Sequence, residues 1–293
     1  MRDYFFGELL IRSRLLRFVN TSFRLGTPKG MRIPQLGKLG RQNLREMKHG
    51  REVHLDRLFP EAFRRHTGTF VDVGVNSGQT LVKVKGFDRA RSYVGFEPNP
   101  SCNYYTGKLI DLNGFEDCTL VPVGLHERTD LLPLHMRWPG DDPTATLVVE
   151  SGTHEFVASQ VVPVWRGDDA LDLVGVTSIS VLKIDVEGAE LEVLRGFAGT
   201  IERHRPLIVC EILPERDAAG ITVASVSVTT LLERARAMTT LLREQGYRIG
   251  KIKGDAAVRE VPSIEHDLEF GDTDTFDFVF VPPDQGWVFE TLG

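Results

Sequence analysis

The sequence contains little cysteine, and its cysteines are not spaced for a structural or metal-binding role. Cys102, Cys118 and Cys210 are the three cysteines, and no two of them form a C-x-x-C pair. An odd number at these spacings supports neither a disulfide framework nor a zinc knuckle. Cys210 lies in an apolar run and is expected to be a small buried hydrophobe. The composition therefore favours a reducing compartment, and we expect a cytoplasmic protein.

Long hydrophobic runs and the common nucleotide fingerprints are also missing. The N-terminal stretch MRDYFFGELLIRSRLLRFVN is interrupted by Glu8, Arg12 and Arg14, and no stretch approaches the roughly 18 apolar residues of a membrane span. Neither G-x-G-x-x-G nor G-x-x-x-x-G-K-[ST] occurs. A nicotinamide dehydrogenase and a P-loop nucleotidase are therefore disfavoured.

Charge divides the chain into two parts. Residues 1–66 hold 15 Lys and Arg against 6 Asp and Glu, whereas the remainder holds 20 against 35. The sequence predicts a basic helical N-terminal extension over 1–66 and a main domain over 67–293. A helix over 9–19 could dock on the body or on a partner subunit in an oligomer. Alternatively, residues 1–40 could contact an anionic membrane. An acidic body without interleaved aromatic residues argues against nucleic acid as a partner.

Apolar runs that alternate with helical segments predict an α/β fold with a doubly wound, Rossmann-like parallel sheet. The predicted strands are Phe70–Val73, Tyr93–Glu97, Leu120–Val123, Val181–Asp185, Leu207–Ile212, Tyr247–Ile252 and Phe276–Val281. A helix is predicted over 226–245. Between the third and fourth strands, residues 125–180 contain two further β-like runs, Leu131–Met136 and Gln160–Trp165. They predict an inserted β-hairpin.

The end of the first predicted strand carries the pattern D-x-G-x-N-x-G, formed by Asp72, Gly74, Asn76 and Gly78. The glycines let the backbone turn sharply and approach a ligand closely, and the following helix offers free N–H groups at its start. Glu97 ends the second strand, where a carboxylate can accept both ribose hydroxyls of an adenosyl ligand. The simpler alternatives are that Asp72 orders its own loop and that Glu97 is an exposed acid.

A second group of acids follows the later strands. Asp185 and Glu187 come directly after the fourth strand, in LKIDVEGAELEVLRG, and Glu211 lies at the end of the fifth. Because the carboxyl ends of parallel strands form a ligand-binding edge, the three could converge in one cleft. They could act there as catalytic groups, with Asp185 as the leading candidate for a base. Alternatively, they could bind a divalent metal ion with His135 or His154.

Each of these acids also has a purely structural interpretation. Asp185 could cap the helix that follows it, and Glu187 and Glu190 could simply favour the positive end of that helix. The two histidines could be exposed loop residues.

Three motifs in this order, VDVGVNSGQT, VGFEPNP and VLKIDVEGAELEVLRG, resemble the FkbM family of S-adenosylmethionine-dependent methyltransferases. The resemblance extends over about residues 66–283. It implies a seven-stranded methyltransferase sheet with an antiparallel last strand, S-adenosyl-L-methionine as cofactor and methylation of a hydroxyl. It also assigns the cofactor-binding residues by position: Asp72, Gly74, Asn76 and Gly78 for the amino-acid part, Glu97 for the ribose, and Pro98 and Asn99 beside the adenine.

Two positions depart from the family pattern. Val75 stands where alanine is frequent, and residues 143–146 replace a common serine-rich turn, which leaves the acceptor contacts of the insertion open. The resemblance implies a small-molecule or glycan hydroxyl acceptor on a sugar, glycolipid or natural product. The alternative is a non-catalytic adenosyl-ligand-binding or scaffold protein in a glycan or natural-product assembly pathway.

Overall fold

A computed structural model describes residues 20–24, 30–36, 52–138, 142, 144–149, 156–214, 226–270 and 275–293. The predicted helix over 9–19 and His154 lie outside the described residues. In chain order the strands are β1 (Asn20–Arg24), β2 (Arg32–Leu36), β3 (Thr69–Val73), β4 (Tyr93–Phe96), β5 (Cys118–Val121), β6 (Gly124–His126), β7 (Asp130–Met136), β8 (Ala158–Arg166), β9 (Ile179–Ile184), β10 (Leu207–Glu211), β11 (Arg248–Ile252), β12 (Val258–Glu260) and β13 (Asp277–Val281). The helices are α1 (Leu55–Arg65), α2 (Gln79–Phe87), α3 (Pro100–Asn113), α4 (Gly167–Val174), α5 (Glu190–Gly196), α6 (Ala198–His204), α7 (Val228–Glu244), α8 (Ile264–Phe270) and α9 (Trp287–Leu292).

The centre of the fold is a mixed sheet with the strand order β12-β11-β13-β10-β9-β3-β4-β5. Strands β5, β4, β3, β9 and β10 pair in parallel, whereas β13 is antiparallel to both of its neighbours. The expected α/β sheet with an antiparallel last strand is therefore present. It has eight strands rather than the expected seven, because β12 adds an edge strand too short to leave a period-two pattern.

The third strand lies earlier than expected. It occupies Cys118–Val121 rather than Leu120–Val123, and the chain then leaves the main sheet to form β6. Strand β5 is at the edge of the sheet, and none of its residues is fully buried. An edge strand of this kind lacks the continuous apolar run that marks a buried parallel strand.

Residues 125–180 contain the two β-like runs expected there, and β7 and β8 pair antiparallel over their whole length. The sequence did not indicate that β6 would pair in parallel with β8, which makes a three-stranded sheet of order β6-β8-β7. Nor did it indicate α4, which follows β8 directly.

On one face of the main sheet, the residues away from the carboxyl ends of the parallel strands are apolar, and those at the carboxyl ends are polar. The apolar residues include Phe70, Val181 and Val279, which pack with Leu55 and Phe59 of helix α1. Since side chains alternate along a strand, the same face continues toward the cavity with residues an even number of positions away along each strand. These polar residues are Asp72, Lys183, Asp185, Glu211 and Asp277.

Helix α1 therefore shares the core of the main sheet, although the sequence assigned it to an N-terminal extension. The boundary at residue 66 stays a prediction. In the part of the chain that the structure describes, no helix is long and apolar enough to cross a membrane.

Candidate active site

A cavity of about 850 Å³ opens at the carboxyl ends of the parallel strands. Its wall brings together the two groups of residues that the sequence analysis singled out. From the glycine-rich turn and the end of β4 come Gly74, Asn76, Glu97 and Pro98; from the ends of β9 and β10 come Asp185, Glu187 and Glu211. The strand-end residues therefore converge as expected on one site.

Glu97 joins the two loops that form one end of the cavity. Its Oε2 accepts a hydrogen bond from the Asn76 backbone N–H at 2.6 Å, and its Oε1 accepts one from the Asn99 N–H at 2.7 Å. Burial raises the pKa of Glu97 to about 7, against the lowering effect of these two N–H groups. Each carboxylate oxygen has a further lone pair. Glu97 can therefore organise its loops and still accept ligand hydroxyls.

Three predicted cofactor residues do not reach the cavity wall. Asp72 is fully buried and accepts a hydrogen bond from the Tyr93 hydroxyl at 2.5 Å. Gly78 starts helix α2, and a Cβ there would lie 2.7 Å from a Leu109 methyl. The Asn99 side chain caps helix α3. These three residues therefore stabilise the loops and helices around the cavity. Their contact with a cofactor stays a prediction.

Asp72 is a buried acid whose proton affinity is unusual. Burial raises its pKa to about 7, while the ammonium of Lys183 and the hydrogen bond from Tyr93 oppose the shift. Burial also raises the pKa of Tyr93 well above its usual range, and the neighbouring Asp72 charge adds to the effect. Tyr93 therefore keeps its proton at neutral pH and donates it in a buried hydrogen bond to Asp72.

Asp185, Glu187 and Glu211 form a compact acidic trio. One carboxylate oxygen from each lies within 4.8 Å of the other two. Burial, the Asp185 charge and the Glu190 charge raise the pKa of Glu187 to about 8. Burial and the Asp185 charge raise the pKa of Glu211 well above its usual range. Glu187 and Glu211 therefore retain protons at neutral pH beside the charged Asp185. The spacing of the trio would also suit a divalent cation, and whether it binds one stays a prediction.

Lys183 anchors Asp185 from below. Its Nζ donates to the Asp185 Oδ2 at 2.8 Å and lies 3.5 Å from the Glu52 Oε1. Burial alone would lower the pKa of Lys183, but the carboxylates of Asp185 and Glu52 outweigh it and the pKa is raised. Asp185 therefore sits in an ion pair. It does not cap helix α5, whose N-cap residue is Ala189.

The insertion covers the cavity from the other side through Arg137, Trp138 and Asp142. Asp142 fixes this segment, since its Oδ2 accepts the backbone N–H groups of Arg137 at 2.5 Å and Trp138 at 3.2 Å. His135 is not brought to the acidic trio. Its ring lies 5.5 Å from that of Phe156, between centroids.

A further set of cavity residues left no signal in the sequence. Glu52 and His54 precede helix α1, and Asp277 opens strand β13. The His54 Nε2 lies 2.5 Å from the Asp277 Oδ2. These residues belong to no motif, and 223 positions separate the two partners. No sequence signal could have paired them.

A parallel sheet with a late antiparallel strand and a cavity at its carboxyl edge defines a Rossmann-like methyltransferase fold. The family model for the methyltransferase FkbM domain matches residues 72–249. The match covers more than half of the chain, and the chain belongs to this family. Among curated proteins none matches it significantly.

Three solved structures are among those similar to this chain. A methyltransferase FkbM from Methylobacillus flagellatus KT is 18% identical, with 73% of this chain and 43% of that chain covered and a TM-score of 0.44. A precorrin-6y C5,15-methyltransferase from Geobacter metallireducens GS-15 is 10% identical (78% and 87% covered, TM-score 0.39). A SAM-dependent O-methyltransferase from Thermotoga maritima is 10% identical (89% and 77% covered, TM-score 0.38). This chain spans less than half the length of the first. None of the three defines its substrate.

Proposed function

We propose that this methyltransferase uses S-adenosyl-L-methionine to methylate a hydroxyl group of a small-molecule or glycan acceptor. The observation that carries the proposal is the shared cavity. Glu97 and the glycine-rich turn lie at one end of it, and Asp185, Glu187 and Glu211 lie along the same wall. One cavity can therefore hold an adenosyl ligand and an acceptor side by side.

The residues present fit the cofactor. Glu97 is buried, yet its carboxylate oxygens can accept ribose hydroxyls. Asn76 and Gln79 line the cavity at the start of helix α2 and would hold the amino-acid part, and Pro98 would lie beside the adenine. When bound, the cofactor supplies a methyl carbon activated by positive sulfur. The charged carboxylate of Asp185 suits that positive charge, because opposite charges attract strongly in a site sheltered from water.

What the chain adds to this chemistry is mainly placement. Methyl transfer needs the acceptor oxygen in line with the methyl carbon, and holding two reactants in that geometry lowers the barrier substantially. The acceptor hydroxyl must also lose its proton, because a neutral alcohol is a weak nucleophile. The sequence assigned this task to the acidic trio, either directly or through a divalent cation.

The lining also limits the acceptor. Carboxylates dominate the cavity, with Glu52, Asp142 and Asp277 added to the trio, and Arg137 is the cavity-lining arginine among the described residues. A phosphate or carboxylate on the acceptor would be repelled by the charged Asp185. We therefore favour a neutral or cationic polyhydroxyl compound, such as a sugar, the sugar of a glycolipid, or a hydroxylated natural product.

Calorimetric titration with S-adenosylhomocysteine tests the cofactor assignment. We expect micromolar binding by the wild type, and a loss of about tenfold or more in Glu97→Gln, which keeps the shape but weakens hydrogen bonds to the ribose. Glu202→Gln, an exposed acid on helix α6, is the matched control. A folded wild type that does not bind would overturn the proposal.

A methyl-transfer assay addresses the identity of the acceptor. Transfer of a radiolabelled methyl group to a panel of neutral sugars, amino sugars and sugar phosphates should favour the first two classes. If the protein binds S-adenosylhomocysteine but methylates nothing in a broad panel, the alternative of a non-catalytic adenosyl-binding or scaffold protein gains support.

A further inference from the structure

A histidine–aspartate pair lines the cavity beside Glu211. His54 precedes helix α1 and Asp277 opens strand β13, and both line the cavity. Their side chains meet at 2.5 Å between Nε2 and Oδ2. Both residues fall outside the region 72–249 that the family model matches. The pair is therefore a feature of this chain's own tertiary structure.

Burial gives this pair a fixed geometry. Asp277 is 3% exposed and lies directly opposite Glu211 across the two strands. A carboxylate that accepts a hydrogen bond from Nε2–H holds the imidazole in one tautomer and leaves Nδ1 with a lone pair. Within the described part of the chain, Asp277 is the hydrogen-bond partner of the His54 ring.

The neighbouring acids are less suited to accept a proton. The Asp185 Oδ2 already accepts a hydrogen bond from the ammonium of Lys183, and Asp185 is also hydrogen-bonded to Glu211. Burial and the Asp185 charge raise the pKa of Glu211, so Glu211 retains its own proton. The His54 imidazole, by contrast, presents the lone pair of Nδ1 in the tautomer that the hydrogen bond to Asp277 sets.

We propose that His54 is the general base of the methyl transfer, and that Asp277 is the positioning residue that holds it. The proposal rests on the proposed function. The acceptor hydroxyl gives its proton to the His54 Nδ1, while its oxygen forms a bond to the methyl carbon. The carbon–sulfur bond breaks, and its electron pair stays on sulfur as a neutral thioether. Asp277 stabilises the imidazolium so formed.

The tautomer of His54 can be read without any acceptor. Long-range proton–nitrogen NMR correlations distinguish Nε2–H from Nδ1–H imidazoles, and the His54 signals among the 8 histidines are those lost in His54→Gln. We expect the Nε2–H form in the wild type bound to S-adenosylhomocysteine. Asp277→Asn should lose that preference. An Nδ1–H form in the wild type would overturn the proposal.

Kinetics with the acceptor found by the panel tests the base directly. His54→Gln should lower kcat by about 10²–10⁴-fold with little change in KM, in the affinity for S-adenosylhomocysteine or in melting temperature. Asp277→Asn should lower kcat while it too binds S-adenosylhomocysteine. His204→Gln, outside the cavity, is the control and should behave as wild type.

The pH profile separates a base from a structural role. The wild-type kcat should rise with pH to a plateau, and His54→Gln should lose that rise. The titratable groups around the His54–Asp277 pair are Glu211, Lys183 and Asp185 at the strand ends, and Glu52 on the segment that carries His54. If His54→Gln keeps kcat within a few-fold, or changes KM alone, the base assignment fails. Failure of the wild type to bind S-adenosylhomocysteine would instead overturn the proposed function.

Discussion

The space that a side chain at Gly74 would need is filled by the backbone carbonyl of Asp185. A Cβ on Gly74 would lie 1.8 Å from that oxygen, and the residue has a φ of +90°. In addition, the Asp185 N–H donates to the Val73 carbonyl at 2.9 Å. The glycine-rich turn and the acidic motif are therefore built against each other, and the glycine sets the position of the acid.

Gly74→Ala should destabilise the protein by at least about 3 kcal/mol, since it combines an unfavourable φ with a collision against backbone. Chemical denaturation measures this. Gly107→Ala is the matched control, because Gly107 lies inside helix α3 and a Cβ there would meet nothing within 4 Å. That variant should gain about 0.5–1 kcal/mol. Equal effects at the two positions would contradict the packing described above.

Glu187→Gln should make the protein more stable at alkaline pH. Burial and the Asp185 charge raise the pKa of Glu187 from 4.5 to about 8 in the folded chain. Between these two pKa values the folded state keeps a proton that the unfolded state has lost. The stability due to this group therefore falls as pH rises, and it is lost once pH passes about 8. An amide mimics the protonated acid and removes that loss.

Melting temperatures at about pH 5 and about pH 9 test this. Glu187→Gln should match the wild type at the lower pH and exceed it by a few degrees at the higher one. A variant that is less stable than the wild type at both pH values would show that the carboxylate is ionised and paired in the folded protein.

Tyr93→Phe should cost about 1–3 kcal/mol, because it leaves Asp72 buried without its hydrogen bond. The effect should grow as pH rises through about 7, where Asp72 ionises. Denaturant titration across this range measures it. Tyr104→Phe, at an exposed tyrosine of helix α3, is the control and should be neutral within about 0.5 kcal/mol. An equal cost for both variants would count against the buried pair.

Trp138→Ala should raise the KM for the acceptor and leave the binding of S-adenosylhomocysteine unchanged. Trp138 lines the cavity yet remains 45% exposed, so its ring is free to stack on a sugar face. Initial-rate kinetics measures the KM. Leu131→Ala serves as control, since Leu131 is exposed on the same small sheet but does not line the cavity. A change confined to kcat would argue against a platform for the acceptor.

Several features of the site could be predicted because they depend on local order. Asp185 and Glu187 follow one buried parallel strand and Glu211 ends another, and such strands end at one edge of a sheet. Glu97 follows the same logic. The two β-like runs of the insertion were also visible in the sequence, and they pair as β7 and β8.

Other features could not be predicted, because their partners are distant in sequence or leave no pattern. Strand β12 has three residues, and β5 is half-exposed at an edge. Glu52 and Lys183 lie far apart in the chain, yet their charges interact under the cavity. Gly74 has a second role that left no signal in the sequence, since its missing side chain makes room for the Asp185 carbonyl after strand β9.

The sequence by itself determined the alternation of strands and helices, the glycine-rich turn and the family, because each depends on residues within a few positions of one another. Tertiary structure alone decided which charged groups share the cavity and which of them hold protons. The pKa of Glu187 reflects burial and neighbouring charges, and the pairing of His54 with Asp277 reflects how helix α1 and strand β13 meet. Electrostatic energies depend on distances and burial in space, and these exist only once the chain has folded.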